Sequence, residues 1–244
     1  MIVLVDSGNT RIKWRLLQGG KVIAEGAALL ADPEPFSGLK RWRDQITEVA
    51  ASSVGSEQSC RALERAFARI SSAPVSFYWS ERARNGLINS YQDVGKMGAD
   101  RWHAMVGAWS TCREGLVVVD AGSAVTVDYV GPDGAHIGGY ILPGLQMMRR
   151  SLKLDAARIG FDEDDQLNTQ PGRSTGECAN HGLAWLTLGA IERIKADAAN
   201  YGLARVLLTG GDAQRFEALG LHAEYRPALV FEGLQLVVQG GAKV

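Results

Sequence analysis

The sequence predicts an α/β fold of two similar lobes, and three observations carry that prediction. Residues 2–17 read as strand, the turn Asp6-Ser7-Gly8-Asn9-Thr10, then strand; residues 116–130 repeat the pattern as strand, Asp120-Ala121-Gly122-Ser123, strand. The two aspartates stand 114 residues apart in a chain of 244, close to half its length. Short β-type apolar runs alternate with segments of helical periodicity, the signature of α/β architecture. No low-complexity segment interrupts the chain, so the lobes are expected at 1–113 and 114–244.

The elements follow in order. Ile2–Val5 is a continuous apolar run stopped by Asp6, hence a buried strand and a tight turn. Ile12–Leu17 and Lys21–Glu25 read as strands joined by Gln18-Gly19-Gly20, a hairpin signal. Residues 31–45 carry Pro33, Pro35 and Gly38 and read as a surface connection leading into a short helix. Ile46–Val54 is a candidate strand, and Ser56–Ile70 a helix with Ser56 as its cap. Val75–Trp79 is β-branched and aromatic, hence strand. Arg82–Gly98 reads as a long loop, a kind often functional. Asp100–Cys112 places Trp102, Met105, Val106, Trp109 and Cys112 at helical spacing, predicting one apolar face. Leu116–Val119, Val125–Val130 and Ala135–Leu142 read as strands, and Pro143-Gly144 breaks the last before a helix at Leu145–Leu154. Asp162–Thr175 is polar loop and Glu177–Ala199 a long helix. Arg205–Leu208 is a strand ending in Thr209-Gly210-Gly211-Asp212. A short helix, a strand near His222–Tyr225 and a helix near Phe231–Val238 complete the chain.

Composition narrows the function. Lys and Arg total 26 against 27 Asp and Glu, a net charge of −1, which argues against a nucleic-acid binder or a polybasic membrane protein. No apolar stretch approaches the ~18 residues of a membrane span, and the N-terminus lacks a basic region ahead of its apolar run. Cys60, Cys112 and Cys178 form no CxxC pair, which fits a reducing, cytoplasmic setting. His103, His136, His181 and His222 never form HExxH, so a histidine-built metal site is not expected.

Four segments carry candidate chemistry. In Asp6-Ser7-Gly8-Asn9-Thr10-Arg11-Ile12-Lys13 the carboxylate suits a hydrated Mg²⁺. The glycine there admits a phosphate, amide N–H groups and the Thr10 hydroxyl can donate to it, and Lys13 adds a point charge. A plain hairpin turn would use the same residue types, but the recurrence at Asp120–Thr126 favours function. Gly98-Ala99-Asp100-Arg101 opens a helix, where Asp100 is either the N-cap or a general base beside a cationic anchor. Gly138–Gly144 and Thr209–Asp212 lie at strand ends, where α/β folds often place ligands. Arg149, Arg150 and Lys153 read as a solvated helix face. There is no GxxxxGK[ST] loop and no GxGxxG opening a βαβ unit.

Taken together, Asp6-x-Gly-Asn-Thr10 with Lys13, Gly98-x-Asp-Arg101, Asp120-x-Gly-Ser-Ala-x-Thr126, Gly138-Gly-x-Ile-x-Pro-Gly144 and Ser174-Thr175 before a long helix resemble the type III pantothenate kinases. The resemblance implies two ribonuclease-H-like lobes of the acetate and sugar kinase, Hsp70 and actin superfold, and a homodimer. It implies pantothenate and ATP as substrates, with Mg²⁺ and a monovalent cation, K⁺ or NH₄⁺. Residue by residue, it implies Asp6 to Lys13 as the phosphate loop with Asp6 reaching Mg²⁺ through water, Ser123 on ATP phosphate and Asp120 on the monovalent cation. Asp100 is implied as the general base, with Tyr91, Gly98, Ala99, Asp100, Arg101 and Thr175 binding pantothenate. Leu142, Leu145, Met147 and Met148 are candidates for the subunit interface. Another phosphotransferase of the superfold, or a non-enzymatic regulatory relative, is the alternative; the retained Asp6, Asp100 and Asp120 weigh against the latter.

Overall fold

A computed structural model describes residues 1–53, 56–155 and 160–241. The chain forms two compact units, Met1–Thr111 joined by the segment from Ala228 onward, and Cys112–Pro227.

In the first unit β1 (Ile2–Ser7), β2 (Arg11–Gln18) and β3 (Lys21–Leu29) form an antiparallel meander. A 3₁₀ helix (Ser37–Trp42) leads to β4 (Glu48–Ser53), parallel to β1; the remainder of the expected strand at Val54 lies outside the described residues. The helix α1 (Glu57–Ala68) is capped by Ser56, whose Oγ accepts from Ser59 N at 3.3 Å. Then come β5 (Val75–Tyr78), the short hairpin β6 (Ala83–Arg84) and β7 (Leu87–Ile88), a 3₁₀ turn at Val94–Lys96, and α2 (Ala99–Thr111). The segment expected to be an unbroken loop over 82–98 therefore contains a two-stranded ribbon.

The second unit runs β8 (Leu116–Ala121), β9 (Ala124–Val130), β10 (His136–Pro143), α3 (Leu145–Asp155), α4 (Thr175–Asn200), β11 (Arg205–Thr209), α5 (Ala213–Ala218) and β12 (Glu224–Tyr225). The last described helix is α6 (Leu229–Gln239), which rejoins the first unit.

The sheets are ordered β3-β2-β1-β4-β5 and β10-β9-β8-β11-β12. Each is an antiparallel meander of three strands extended by two parallel ones, so the internal repeat is a repeat of topology. In the first sheet Val3, Val5, Ile12, Trp14, Leu16, Val49 and Ala51 alternate onto one face. There they pack against Phe36, Leu39, Leu63 and Phe67. In the second, Val117, Val119, Val125, Val127 and Tyr129 pack against Ile191, Ile194 and Phe216 of α4 and α5.

Two expectations are corrected. The first is that α2 has one apolar face: the structure buries Ala99 and every residue from Arg101 to Trp109. The second is that α6 belongs with the C-terminal half. It packs instead across α2, and the physical reason is a pair of glycines. A Cβ on Gly107 would stand 2.6 Å from Leu229 O, and one on Gly233 would stand 1.7 Å from His103 O. Only residues without side chains let the two helix backbones approach so closely.

Candidate active site

The phosphate- and cation-site candidates Asp6 and Asp120 sit where strands end. Asp6 is the penultimate residue of β1, directly opposite Lys13 on β2 and beside Ser52 on β4. Opposed residues of an antiparallel pair put their side chains on one face, so the carboxylate and the ammonium form a cross-strand pair of opposite charge. Gly8 N donates to Arg11 O at 3.0 Å and closes the turn, which leaves Asn9, Thr10 and Arg11 exposed at its tip. Ser7 is buried, and the Ile12 side chain points into the core, so Ile12 offers a ligand only its main chain.

The second unit repeats this arrangement. Asp120 is opposite Thr126 on β9 and beside Thr209 on β11, and Gly122 N donates to Ala124 O at 3.1 Å. The turn at Ser123 is pressed between two glycines. Gly144 N donates to Ser123 O at 3.2 Å, and Asp212 N to Ala121 O at 2.8 Å. A Cβ on Gly210, which has φ +97°, would meet Ala121 O at 2.3 Å. The Gly138–Gly144 and Thr209–Asp212 motifs thus share one structural task, supporting the Asp120–Ser123 turn. Burial raises the Asp212 carboxyl, offset in part by Arg215 and Arg149.

Asp100 is not the N-cap. Trp102 N donates to Gly98 O, so Gly98 occupies the capping position and Asp100 is the second helical residue. Its Oδ1 accepts from Arg101 N at 2.7 Å, satisfying one of the N–H groups that the first turn leaves without a helical partner. Arg101 is buried, and its guanidinium donates to Tyr91 Oη at 2.8 Å with its carbon 5.7 Å from the Tyr91 ring centre. Tyr91 and the Gly98–Arg101 turn, both implied by the resemblance to bind pantothenate, are in contact. Thr175 is the exposed first residue of α4, behind the N-cap Ser174. Ser174 Oγ accepts from Glu177 N at 3.2 Å, and the Glu177 carboxylate accepts from Arg173 N at 2.7 Å.

One feature of the site's surroundings escaped the sequence. His103 is fully buried on α2, one turn beyond Asp100, with Nδ1 2.8 Å from Ser52 Oγ, and Ser52 lies beside Asp6. Burial, with the Arg84 charge nearby, lowers the imidazole pKa to about 3 and keeps it neutral. A contact between residues 51 positions apart has no local signal. Of the predicted interface residues, Met147 is exposed, Leu145 and Met148 are half-buried, and Leu142 packs against the core.

The family model of type III pantothenate kinases matches residues 2–197. A type III pantothenate kinase from Marinobacter nauticus is 54% identical over 99% of both chains, and one from Aromatoleum aromaticum is 35% identical over 99% of both. Among solved structures, a Campylobacter jejuni protein described as a Baf family transcriptional activator matches with a TM-score of 0.62 at 21% identity, covering 98% of each chain. A Sinorhizobium meliloti protein described as a 2-dehydro-3-deoxygalactonokinase matches with a TM-score of 0.56 at 12% identity, over 98% of this chain and 99% of that one. At such identities the structures speak to the fold, which is that of the sugar kinase and actin superfold. The sequence matches speak to the lineage: the chain belongs to the type III pantothenate kinase family.

Proposed function

We propose that this protein transfers the γ-phosphoryl group of ATP to the primary hydroxyl of pantothenate, giving 4'-phosphopantothenate and ADP, the opening step of coenzyme A biosynthesis. The observation that carries the reading is the pair of matching Asp-x-Gly hairpins at equivalent strand ends of two like-ordered sheets, in a chain of this family. In phosphoryl transfer the protein mainly positions groups and stabilises charge.

Asp100 serves as general base: the hydroxyl oxygen of pantothenate attacks the γ-phosphorus, the bond to the ADP oxygen breaks, and the hydroxyl proton passes to the Asp100 carboxylate. Its place in the first turn of α2 sets the carboxylate where a helix N-terminus favours negative charge. Arg101 offers a buried guanidinium, a natural partner for the substrate carboxylate. Tyr91, Gly98, Ala99 and Thr175 complete pantothenate binding. The turn Ser7-Gly8-Asn9-Thr10-Arg11-Ile12 and Ser123 receive phosphate oxygens, and Lys13 counters their charge.

The donor set suits a Mg²⁺ that arrives with the nucleotide. Among the described residues no three His, Cys, Asp or Glu gather as a metal cage, and Mg²⁺ is commonly held by one or two carboxylates plus phosphate oxygens and water. Asp6 would hold it through water, and Asp120 would hold K⁺ or NH₄⁺ with its hard oxygen. Bound cations neutralise charge on the transferring group.

We assign a second copy of the chain as partner. Tyr140 and Ile141 on β10, Met147 on α3, and Trp185 and Leu186 on α4 are large apolar side chains left exposed on one unit. The three cysteines are free thiols, which supports a cytoplasmic setting. No described helix is long and apolar enough to cross a membrane, and the near-neutral charge speaks for small substrates over nucleic acid. The deciding experiment is coupled ADP release with pantothenate, Mg²⁺ and K⁺. Turnover that depends on pantothenate is expected, and ADP release that ignores pantothenate would overturn the reading.

A further inference from the structure

We infer that Asn89 and Arg82 are positioning residues for pantothenate recognition: together they lock the segment before α2 so that Tyr91 stands against Arg101. The inference rests on the reading above, in which Tyr91 and Arg101 touch the substrate.

Asn89 is 1% exposed and uses both ends of its amide. Its Nδ2 donates to Glu81 O at 3.2 Å and Met97 Sδ at 3.3 Å, which tie it to the two stems of the segment. Its Oδ1 accepts from Tyr91 N at 3.0 Å and fixes the main chain of the residue that carries the phenol. Arg82 works from outside. Its Nη1 donates to Asn89 O at 3.2 Å and Tyr91 O at 2.6 Å, and its Nη2 to Gln92 O at 2.8 Å. A planar guanidinium can hold three carbonyls at once, where a lysine offers one compact charge. Ser80 Oγ donates to Met97 O at 3.0 Å and closes the base.

These bonds hold little core. Between Arg82 and Met97 the only apolar side chains buried are Leu87 and Met97. The buried amide and the forked guanidinium instead converge on the main chain of 89–92, and that main chain places the Tyr91 hydroxyl oxygen 2.8 Å from Arg101 Nη1. A recognition loop ordered before its ligand arrives binds at a lower cost in conformational entropy.

The test is steady-state kinetics on Arg82→Ala, Tyr91→Phe and the double variant, with thermal unfolding alongside. Arg82 is exposed, so Arg82→Ala should fold normally. The expected result is a KM for pantothenate raised roughly 3- to 10-fold, about the worth of one hydrogen bond. kcat and the KM for ATP should stay within about twofold, and Arg82→Ala should add little in the Tyr91→Phe background, because coupled residues are not additive. Asn89→Ser, measured the same way, should raise the same KM. If Tyr91→Phe raises the pantothenate KM while Arg82→Ala does not, the positioning role is overturned and the reading of Tyr91 stands. If Tyr91→Phe leaves that KM unchanged, the reading of Tyr91 fails and this inference falls with it. Equal losses in kcat and in both KM values, persisting in the double variant, would also overturn it, since they mark a general structural defect.

Discussion

The main-chain nitrogen of Gly144 donates to the carbonyl oxygen of Ser123 at 3.2 Å, and a Cβ on Gly144 would stand 2.3 Å from that same oxygen. The break after β10 is therefore a lid on the turn that carries Ser123, whose hydroxyl is proposed to receive ATP phosphate. Gly144→Ala must push this turn away from its place. Overpacking of this kind typically costs about 1–3 kcal/mol, so the variant should unfold at lower temperature and show a raised KM for ATP. Unchanged nucleotide affinity by titration calorimetry would separate the turn from ATP binding.

Asp100→Asn should fold like the parent, because an amide oxygen can still accept from Arg101 N as the carboxylate does. It cannot accept the hydroxyl proton. Loss of a positioned base typically costs on the order of 10²–10⁴ in rate, and a loose phosphoryl-transfer transition state places the drop near the lower figure. The loss should fall on kcat with thermal stability preserved. A folded variant with parental kcat would move the base elsewhere, with Asp6 next in line.

Lys13 faces Asp6 across β1 and β2. Lys13→Met keeps the aliphatic stem and removes the charge, so the KM for ATP should rise about tenfold or more, the scale of a hydrogen bond to a charged group, while the KM for pantothenate holds. The opposite pattern would remove Lys13 from the phosphate site.

Exchange of K⁺ for Na⁺ at saturating Mg²⁺ should depress turnover strongly, and Asp120→Asn should erase the difference between the two salts. Equal rates of the parent in both would contradict the Asp120 assignment.

His103 sets a pH dependence of stability. The folded state holds it neutral, with a pKa lowered to about 3, while the unfolded chain takes up its proton near pH 6.5. Its contribution is therefore whole above about pH 6.5 and is lost as pH falls toward the folded value, at up to about 1.4 kcal/mol per unit. His103→Asn, which can keep a bond to Ser52, should flatten the difference between urea unfolding at pH 7 and pH 5. Parallel pH profiles for parent and variant would show that His103 takes up its proton as readily in the folded state as in the unfolded chain.

Much of this was legible in the chain. The two Asp-x-Gly turns announced themselves because a strand, a carboxylate and a glycine are local features, and the repeat of sheet order follows from them. Ser56 caps its helix as side-chain chemistry demands. Tertiary partners were illegible. The periodicity of α2 showed one apolar stripe, since nothing near it in sequence announced that α6 would cover another side. Asp100 looked like a cap because aspartate caps well, yet Gly98 took that position. The segment 82–98 read as loop because its order comes from side chains bonding to main chain, which leaves no hydrophobic period. The Ser52–His103 bond joins a strand and a helix whose adjacency only the folded sheet creates.

The return of α6 to the first unit has a consequence for biosynthesis. A ribosome releases the N-terminal portion of a chain first, and domains usually fold as they emerge. Here the first unit stays incomplete until its last helix, which begins at Leu229, has been made. Until then the face of α2 that receives Gly233 has no cover. The nascent chain must hold that face without aggregating while the whole second unit is translated, and closure joins segments more than a hundred residues apart, a long-range step that slows folding. A premature stop near the C-terminus would thus unmake the beginning of the protein.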